Sequence, residues 1–175
     1  MKNCVTSIEK LNFRDATLDD LPAIVEIYNS TIPSRMVTAD TEPVSVESRV
    51  HWYHEHVPGK RPLWIVSDAE GKQVGWVSVH SFYGRPAYNR TVELSIYIES
   101  SARGKGLGTA ALQLCLDKCL AFGIKTLLGF ILAHNVPSRK LFNRVGFQDW
   151  ATLPNVAVFD GVERSLIIVG KRISD

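Results

Sequence analysis

The stretch ELSIYIESSARGKGLGTAALQLCL, residues 93–116, passes from one structural pattern to another. Its beginning alternates between polar and apolar residues, which is typical of a β-strand with two different faces. From Gly106 to about residue 122 the apolar spacing predicts a helix. Three glycines and two cations separate the two patterns, in the order Arg103-Gly104-Lys105-Gly106-Leu107-Gly108. The sequence therefore predicts a strand that enters a helix through a flexible, positively charged turn.

This turn is suited to a phosphate or pyrophosphate group. The first N–H groups of a helix have no partner within the helix, and the helix dipole makes that end positive. Glycine lets the backbone approach an anion closely, while Arg103 and Lys105 add charge. A tight turn without a ligand is the alternative, but it would leave both cations without a role.

Three kinds of phosphate site can be compared with this turn. A P-loop requires Ser or Thr after Gly-Lys, whereas Gly106 follows Lys105 here. A dinucleotide fingerprint fits better, because Gly106, Gly108 and Ala111 satisfy G-x-G-x-x-A. However, the next predicted strand ends in FILAHN, which offers no carboxylate to a ribose. The third candidate is the pyrophosphate of coenzyme A.

The order of the remaining elements predicts a mixed fold. Alternating or continuous apolar runs predict strands, and apolar residues at helical spacing predict helices. The predicted strands are 11–17, 62–68, 71–82, 91–100 and 125–133, with a closing hairpin over 157–172 that turns at Asp160-Gly161. The predicted helices are 17–29, 46–56 after a Ser45 cap, 106–122 and 137–147, where Gly146 is the stop. We expect an α/β (α+β) fold of three layers around a mostly antiparallel sheet.

Composition narrows the class of protein. The 175 residues fit a single domain over 1–175, and a net charge of +2 gives no reason to expect nucleic acid. Cys4, Cys115 and Cys119 show neither disulfide nor zinc spacing, so we expect free thiols in a reducing compartment, the cytoplasm. The first ten residues lack the apolar core of a signal peptide, and no apolar run is long enough for a membrane span.

Two motifs carry a resemblance to a known family. RGKGLG, residues 103–108, resembles the Q/R-x-x-G-x-G/A signature of the GNAT acetyltransferase superfamily, and NVPSRKLFNRVGF, residues 135–147, resembles its later motif. The likeness runs from about Phe13 to Lys171. Within the superfamily, IYNSTIPSRMVTADTEPVS, RPAYNRTVELSIYI and FDG are similar to the phosphinothricin and methionine sulfoximine N-acetyltransferase group.

The resemblance implies transfer of acetyl from acetyl-CoA to the primary amine of a small amino-acid-like substrate, by direct attack in a ternary complex. It implies a GNAT fold with helices on both faces of the sheet and a homodimer, without a metal. Acetyl-CoA is expected in a notch where the parallel strands 92–99 and 126–133 splay apart. The residues implied to contact it are Ile96, Tyr97, Ile98, Arg103, Gly104, Lys105, Gly106, Leu107, Gly108, Thr109, Asn135 and Ser138.

Glu93 is the predicted catalytic base. An ammonium has no lone pair, so a base must remove its proton before the nitrogen can attack. Alternation places Glu93, Ser95 and Tyr97 on one strand face, and the resemblance puts the base in the T-V-E position. The alternative is a solvated carboxylate or one paired with an arginine.

The predicted substrate contacts lie in two segments. An arginine can bind a substrate carboxylate with two hydrogen bonds, and aromatic residues can wall a small molecule. The candidates are Phe82, Tyr83, Arg85 and Tyr88 between two strands, with Arg35 and Thr38 from the long loop. Ordinary packing is the alternative for the aromatic residues.

Two departures from the family pattern qualify the resemblance. Phe142 stands where many relatives have a residue that can donate a proton to the departing thiolate, and Val162-Glu163-Arg164 replaces their Trp-x-Asp.

His51, His54 and His56 cluster on a predicted helix, where a solvated surface is the expected role and a metal site is the alternative. A peptide or protein N-terminal acetyltransferase and a non-catalytic CoA-binding sensor remain alternative functions.

Overall fold

A computed structural model describes residues 11–174, whose strands form one sheet in the order β1-β2-β3-β4-β5-β7-β6. The strands are β1 (Asn12–Asp15), β2 (Leu63–Ser67), β3 (Gln73–Ser81), β4 (Thr91–Ile98), β5 (Thr126–Leu132), β6 (Gln148–Phe159) and β7 (Val162–Arg172). The helices are α1 (Leu21–Asn29), α2 (Val46–His54), α3 (Leu107–Ala121) and α4 (Val136–Arg144). Cys4 and the N-terminal segment interpreted above lie outside the described residues.

Two hydrophobic cores lie on opposite faces of the sheet. The larger packs α3 and α4 against one face and includes Val92, Leu94 and Leu112. The smaller packs α1 against the other face, through Leu21 and Ile24 among others, with residues of α2 at its margin. Helices therefore cover both faces, which confirms the predicted three-layer fold.

The sheet opens at its only parallel pair among the described strands, β4 and β5. Pairing joins Thr91 to Thr126, Val92 to Leu127 and Glu93 to Leu128, and stops there. β5 continues alongside β7 as far as Leu132, while β4 continues alongside β3. The β5-facing edge of β4 after Glu93 is therefore open, as the splayed pair predicted from the resemblance requires.

Local signals place the helix ends close to the predictions. Ser45 caps α2, because its hydroxyl accepts a hydrogen bond from the Ser48 N–H at 3.1 Å. Asn135 caps α4 by accepting from the Ser138 N–H at 3.1 Å.

Cys115 and Cys119 are buried in α3 as free thiols. No helix within residues 11–174 has the length and hydrophobicity needed to cross a bilayer.

The sequence prediction missed most of β6, which begins at Gln148 rather than near residue 157. Its pairing with β7 shifts register between Asp149 and Ala151 and again between Leu153 and Ala157. These irregularities break the alternation that identifies a strand in a sequence. β6 lies at the edge of the sheet, so backbone pairing with β7 rather than burial holds most of it in place.

Candidate active site

Three cross-strand pairs of β3 and β4 form the floor of a cavity. Alternation along both strands directs the paired side chains to the face covered by α1 and α2. The pairs are Trp76 with Tyr97, Ser78 with Ser95, and His80 with Glu93. We call this space, about 180 Å³ in volume, the Glu93 cavity.

The two N-terminal helices supply the walls of the Glu93 cavity. Tyr28, Ile24 and Val25 come from α1, and Arg49 and Trp52 come from α2. Val44, just before α2, adds one more apolar side chain. The cavity thus combines aromatic surface with one cation and one carboxyl group, a lining that suits a small polar molecule.

Glu93 is half-buried in this cavity, and burial raises the pKa of its carboxyl group. A raised carboxyl pKa brings the group closer to the range in which it can both accept and release a proton at neutral pH. Arg49, which lines the same cavity, binds Asp40 through Nη2 and Oδ2 at 2.8 Å. The carboxylate bound to Arg49 is thus that of Asp40, and the role of Glu93 as a base stays a prediction.

A hydrogen-bonded network holds Arg49 in place. The Tyr28 hydroxyl donates to Asp40 Oδ2 at 2.6 Å and also bonds the Thr38 hydroxyl. The Arg49 guanidinium lies over the Tyr28 ring, 5.0 Å from its centroid. Thr38, which was predicted to contact substrate, is buried, and its hydroxyl bonds the hydroxyl of Tyr28. It therefore supports a residue that lines the cavity.

Three ring side chains meet at one side of the cavity. The Trp52 indole N–H donates to His80 Nε2 at 3.1 Å, and His56 Nε2 lies 3.1 Å from the same atom. His56 is therefore not part of a solvated helix surface, which corrects the prediction for that residue. α2 ends at His54, and His56, two residues later, contacts His80 of β3. His51, in contrast, is 92% exposed, as predicted.

A second space, about 380 Å³ in volume, lies at the open edge of β4, and we call it the glycine groove. It brings together the predicted coenzyme-contacting residues Ile96, Tyr97, Ile98, Arg103, Gly104, Gly106, Gly108, Thr109, Asn135 and Ser138. Lys105 is exposed in the turn, while the Leu107 side chain packs into the core. Any contact of Leu107 with a ligand in the groove would have to come from its backbone.

The turn between β4 and α3 depends on glycine. Gly104 and Gly106 have φ angles of +78° and +82°, a left-handed conformation that other residues rarely adopt. Gly106 accepts the first bonds of α3 from the N–H groups of Thr109 and Ala110. The N–H groups of Leu107 and Gly108 precede those bonds and are available to an anion. Arg103 Nε donates to the Ile98 carbonyl at 2.9 Å, which ties the turn to the end of β4.

Asn135 and its neighbour connect the glycine groove to the long loop after α1. Asn135 is buried, and its Nδ2 donates to the Met36 carbonyl at 2.9 Å. His134 Nε2 donates to the Arg35 carbonyl at 2.7 Å. Met36 and Val37 consequently line the groove.

The other predicted substrate contacts lie elsewhere. Phe82, Tyr83 and Tyr88 contact one another, with ring centroids 4.4–6.1 Å apart, and Tyr83 is 77% exposed. Arg85 is exposed beside them, and Arg35 binds Asp160 at 3.1 Å. Among the described residues, neither these side chains nor Thr38 lines the Glu93 cavity, so their contact with a substrate stays a prediction.

Sequence reasoning missed most of the lining residues, among them Arg49, Trp52, Trp76 and His80. The sequence nevertheless carries a periodicity signal for two pairs of them, Trp76 with His80 and Arg49 with Trp52. Trp76 and His80 alternate along β3 on the face opposite the core valines, and Arg49 and Trp52 are three apart on α2, so they share a helix face.

Phe142, where a proton donor was expected, lies in the core. It is 4% exposed and packs against Phe147 with centroids 4.9 Å apart. A Cβ atom on Gly129 of β5 would lie 2.9 Å from the Phe142 ring. The lack of a side chain at Gly129 therefore leaves room for that ring. Leu141, the preceding residue, lines the glycine groove instead.

Comparison with known proteins agrees with this geometry. The family described as "Acetyltransferase (GNAT) domain" matches residues 10–148. YwnH of Bacillus subtilis (strain 168), whose name marks it as a provisional phosphinothricin acetyltransferase, is 48% identical over 94% of this chain and 100% of its own. The L-methionine sulfoximine/L-methionine sulfone acetyltransferase of Pseudomonas aeruginosa is 31% identical over 83% of this chain and 84% of its own.

A solved structure shows the same architecture. The GNAT superfamily phosphinothricin acetyltransferase (Pat) from Sinorhizobium meliloti, in complex with AcCoA, superposes with a TM-score of 0.85 at 26% identity. The alignment covers 93% of this chain and 88% of that one. With the family match over residues 10–148, the open parallel strand pair and the glycine turn, the chain belongs to the GNAT acetyltransferase family.

Proposed function

We propose that this protein transfers the acetyl group of acetyl-CoA to the primary amine of a small amino-acid-like substrate of the phosphinothricin, methionine sulfoximine or methionine sulfone type. The amine attacks the thioester directly in a ternary complex. The observation that carries this proposal is the position of Tyr97, which lines both the Glu93 cavity and the glycine groove. An amine in the cavity and a thioester in the groove would meet beside this residue.

The glycine groove supports the placement of acetyl-CoA. The open edge of β4 offers backbone N–H and C=O groups to the amide-containing pantetheine arm, as an added strand would use them. The turn at 104–108 offers N–H groups and the Arg103 charge to the pyrophosphate. The Sinorhizobium meliloti relative was solved in complex with AcCoA, which agrees with a shared mode of binding.

Glu93 is the base in this proposal. It takes a proton from the substrate ammonium, either directly or through a water, and the free nitrogen attacks the thioester carbonyl. The tetrahedral intermediate then collapses with loss of the CoA thiolate. Phe142 cannot protonate that thiolate, but a thiol pKa of about 8.5 makes it a leaving group that solvent can protonate.

Arg49 is the proposed partner of the substrate carboxylate. A guanidinium has five N–H donors, so its bond to Asp40 leaves donors for a second carboxylate. The small volume of the cavity favours an amino-acid-sized molecule over a peptide, in agreement with the substrates named for the Pseudomonas aeruginosa relative.

A homodimer of single-domain protomers is also part of the proposal. Along the edge strand β6, Trp150, Leu153, Val156 and Val158 are exposed apolar side chains. A second copy of the chain covering this row would remove it from water. Sedimentation velocity at several protein concentrations tests this state, and a monomer at all of them would contradict it.

The test of the proposed activity is thiol release from acetyl-CoA in the presence of single amines. We expect turnover with methionine sulfone, methionine sulfoximine or phosphinothricin, and none with their N,N-dimethyl derivatives. Turnover confined to peptides would favour an N-terminal acetyltransferase. Tight acetyl-CoA binding without turnover of any amine would favour a sensor and contradict the proposal.

A further inference from the structure

His80 and Glu93 lie opposite each other on the floor of the Glu93 cavity. They are directly paired residues of β3 and β4, and both line the cavity. The side chains of such a pair start about 5 Å apart, a separation at which one water can join two polar groups. The cavity has a volume of about 180 Å³, which leaves room for a water beside a small substrate.

The Trp52 indole fixes the tautomer of His80. The indole N–H can only donate, and it lies 3.1 Å from His80 Nε2, so that nitrogen presents a lone pair. Burial lowers the pKa of His80, so the ring is neutral at pH 7. A neutral imidazole has one ring N–H. His80 therefore carries its proton on Nδ1.

His56 does not change this assignment. Its Nδ1 lies 2.9 Å from the Trp52 carbonyl, which only accepts, so His56 Nδ1 carries a proton. Its Nε2 lies 3.1 Å from His80 Nε2. A second proton on His56 would sit on Nε2 and would be donated to the same lone pair of His80. In both charge states of His56, Nε2 of His80 is the acceptor and Nδ1–H is the donor.

The Nδ1–H of His80 and the carboxyl group of Glu93 both lack a protein partner. Within residues 11–174 neither group makes a hydrogen bond to another residue, and neither is sealed off from solvent. A donor and an acceptor on two sides of a gap suit a small molecule that accepts from one and donates to the other. A substrate ammonium cannot do this, because it has no lone pair, whereas water can.

We propose that His80 is a positioning residue, whose Nδ1–H holds the water through which Glu93 takes the proton of the substrate amine. The water accepts from His80, donates one hydrogen to the Glu93 carboxylate and keeps its second lone pair for the ammonium N–H. The ammonium gives a proton to the water while the water gives one to Glu93, and His80 keeps its own. Glu93 later releases its proton to solvent. This inference rests on the proposed function.

Two substitutions separate the roles of the two ring nitrogens. The side-chain nitrogen of asparagine is bonded to Cγ, as Nδ1 is, while the amide oxygen of glutamine lies one bond further out, as Nε2 does. His80→Gln therefore keeps an acceptor for Trp52 and lacks the donor, and His80→Asn keeps the donor. We expect kcat to fall about 10-fold in His80→Gln, as for the loss of one hydrogen bond, and to fall less in His80→Asn. The KM for acetyl-CoA should stay unchanged in both.

Thermal unfolding of the same variants excludes a purely structural explanation. His80→Asn leaves the Trp52 N–H without its acceptor, so its melting temperature should be the lower of the two. A purely structural role would make His80→Asn the less active variant as well. The proposed role predicts the opposite order of activity, and a kcat of His80→Asn equal to or below that of His80→Gln would overturn it. His51→Gln, at an exposed position of α2, is the control and should match wild type.

A measurement without substrate tests the tautomer directly. In ¹⁵N NMR, with the His80 signals identified by their loss in His80→Gln, we expect a neutral ring that is protonated on Nδ1 at pH 7. A proton on Nε2, or wild-type kcat in His80→Gln, would overturn the role of His80 and leave amine acetylation intact. If wild-type protein acetylated no amine, the proposed function itself would fail, and the role of His80 would fail with it.

Discussion

The two sides of β4 are built in different ways. The Glu93 cavity consists of side chains drawn from α1, α2, β3 and β4, elements that are far apart in the sequence. The glycine groove draws half of its lining residues from the one segment between Ile96 and Thr109, and the others come from the long loop after α1 and from α4 with its cap. A site with much of its lining in one segment can be recognised from a short stretch of sequence, while a site assembled from several elements can be recognised only once the fold is known.

The largest effect should come from removing the proposed base. Glu93→Gln keeps the shape of the side chain but cannot accept a proton, so we expect kcat to fall roughly 10²–10⁴-fold. Acetyl-CoA affinity, measured by isothermal titration calorimetry, should stay at the wild-type value because the groove is intact. Full activity in this variant would reject the role of Glu93. Loss of acetyl-CoA binding would show that the Glu93 cavity and the glycine groove do not act independently.

A smaller effect is expected from Arg49→Gln, which addresses the same cavity. Loss of a charge-assisted hydrogen bond should raise the KM of an amine that bears a carboxylate by roughly 10–100-fold. The KM of the corresponding methyl ester should change little. Arg14→Gln, at an exposed cation on β1, is the control. An equal rise in KM for acid and ester would mean that Arg49 supports the cavity rather than the carboxylate.

On the groove side, Gly106→Ala should weaken acetyl-CoA binding. A side chain at a φ of +82° costs about 1–2 kcal/mol, and relief of that strain would move the N–H groups of the turn. We expect the KM for acetyl-CoA to rise roughly 5–10-fold with little change in the KM for amine. Gly123→Ala introduces the same strain at the far end of α3, where φ is +73°, and should leave both constants unchanged.

The smallest effect concerns stability and pH. Because burial raises the folded-state pKa of Glu93, folding takes up protons, and stability falls as the pH rises from the unfolded-state pKa through the raised value. Glu93→Gln removes this cost, so its melting temperature should exceed that of wild type at pH 7. The two proteins should converge below the ordinary glutamate pKa of about 4.3. A variant less stable than wild type at pH 7 would contradict the burial argument.

The groove could be predicted from the sequence because its physical requirements leave local marks. Left-handed backbone at Gly104 and Gly106 demands glycine, and a helix start beside cations indicates an anion site. The alternation in β4 likewise identified the face of Glu93. Each of these signals lies within a few residues of the feature that it predicts.

The cavity could be predicted only in part. Arg49 and Trp52 line it because α2 packs beside α1 on the same face of the sheet, and His56 contacts the lining residue His80 although the two are 24 positions apart in the sequence. Both contacts depend on tertiary packing. Phe82, Tyr83 and Tyr88 adjoin β3 and β4 in the sequence. In the structure, however, they lie beyond the ends of these two strands rather than at the cavity. Proximity along the chain was therefore a poor guide to proximity in space.

The gap between β4 and β5 has a consequence for the lifetime of the protein. After Glu93 the edge of β4 lacks a neighbouring strand, and under the proposed mode of binding the pantetheine arm fills that place. A ligand that binds only the folded chain stabilises it in proportion to the logarithm of its concentration. The supply of acyl donor in the cell would then set the resistance of this enzyme to unfolding and proteolysis as well as its rate.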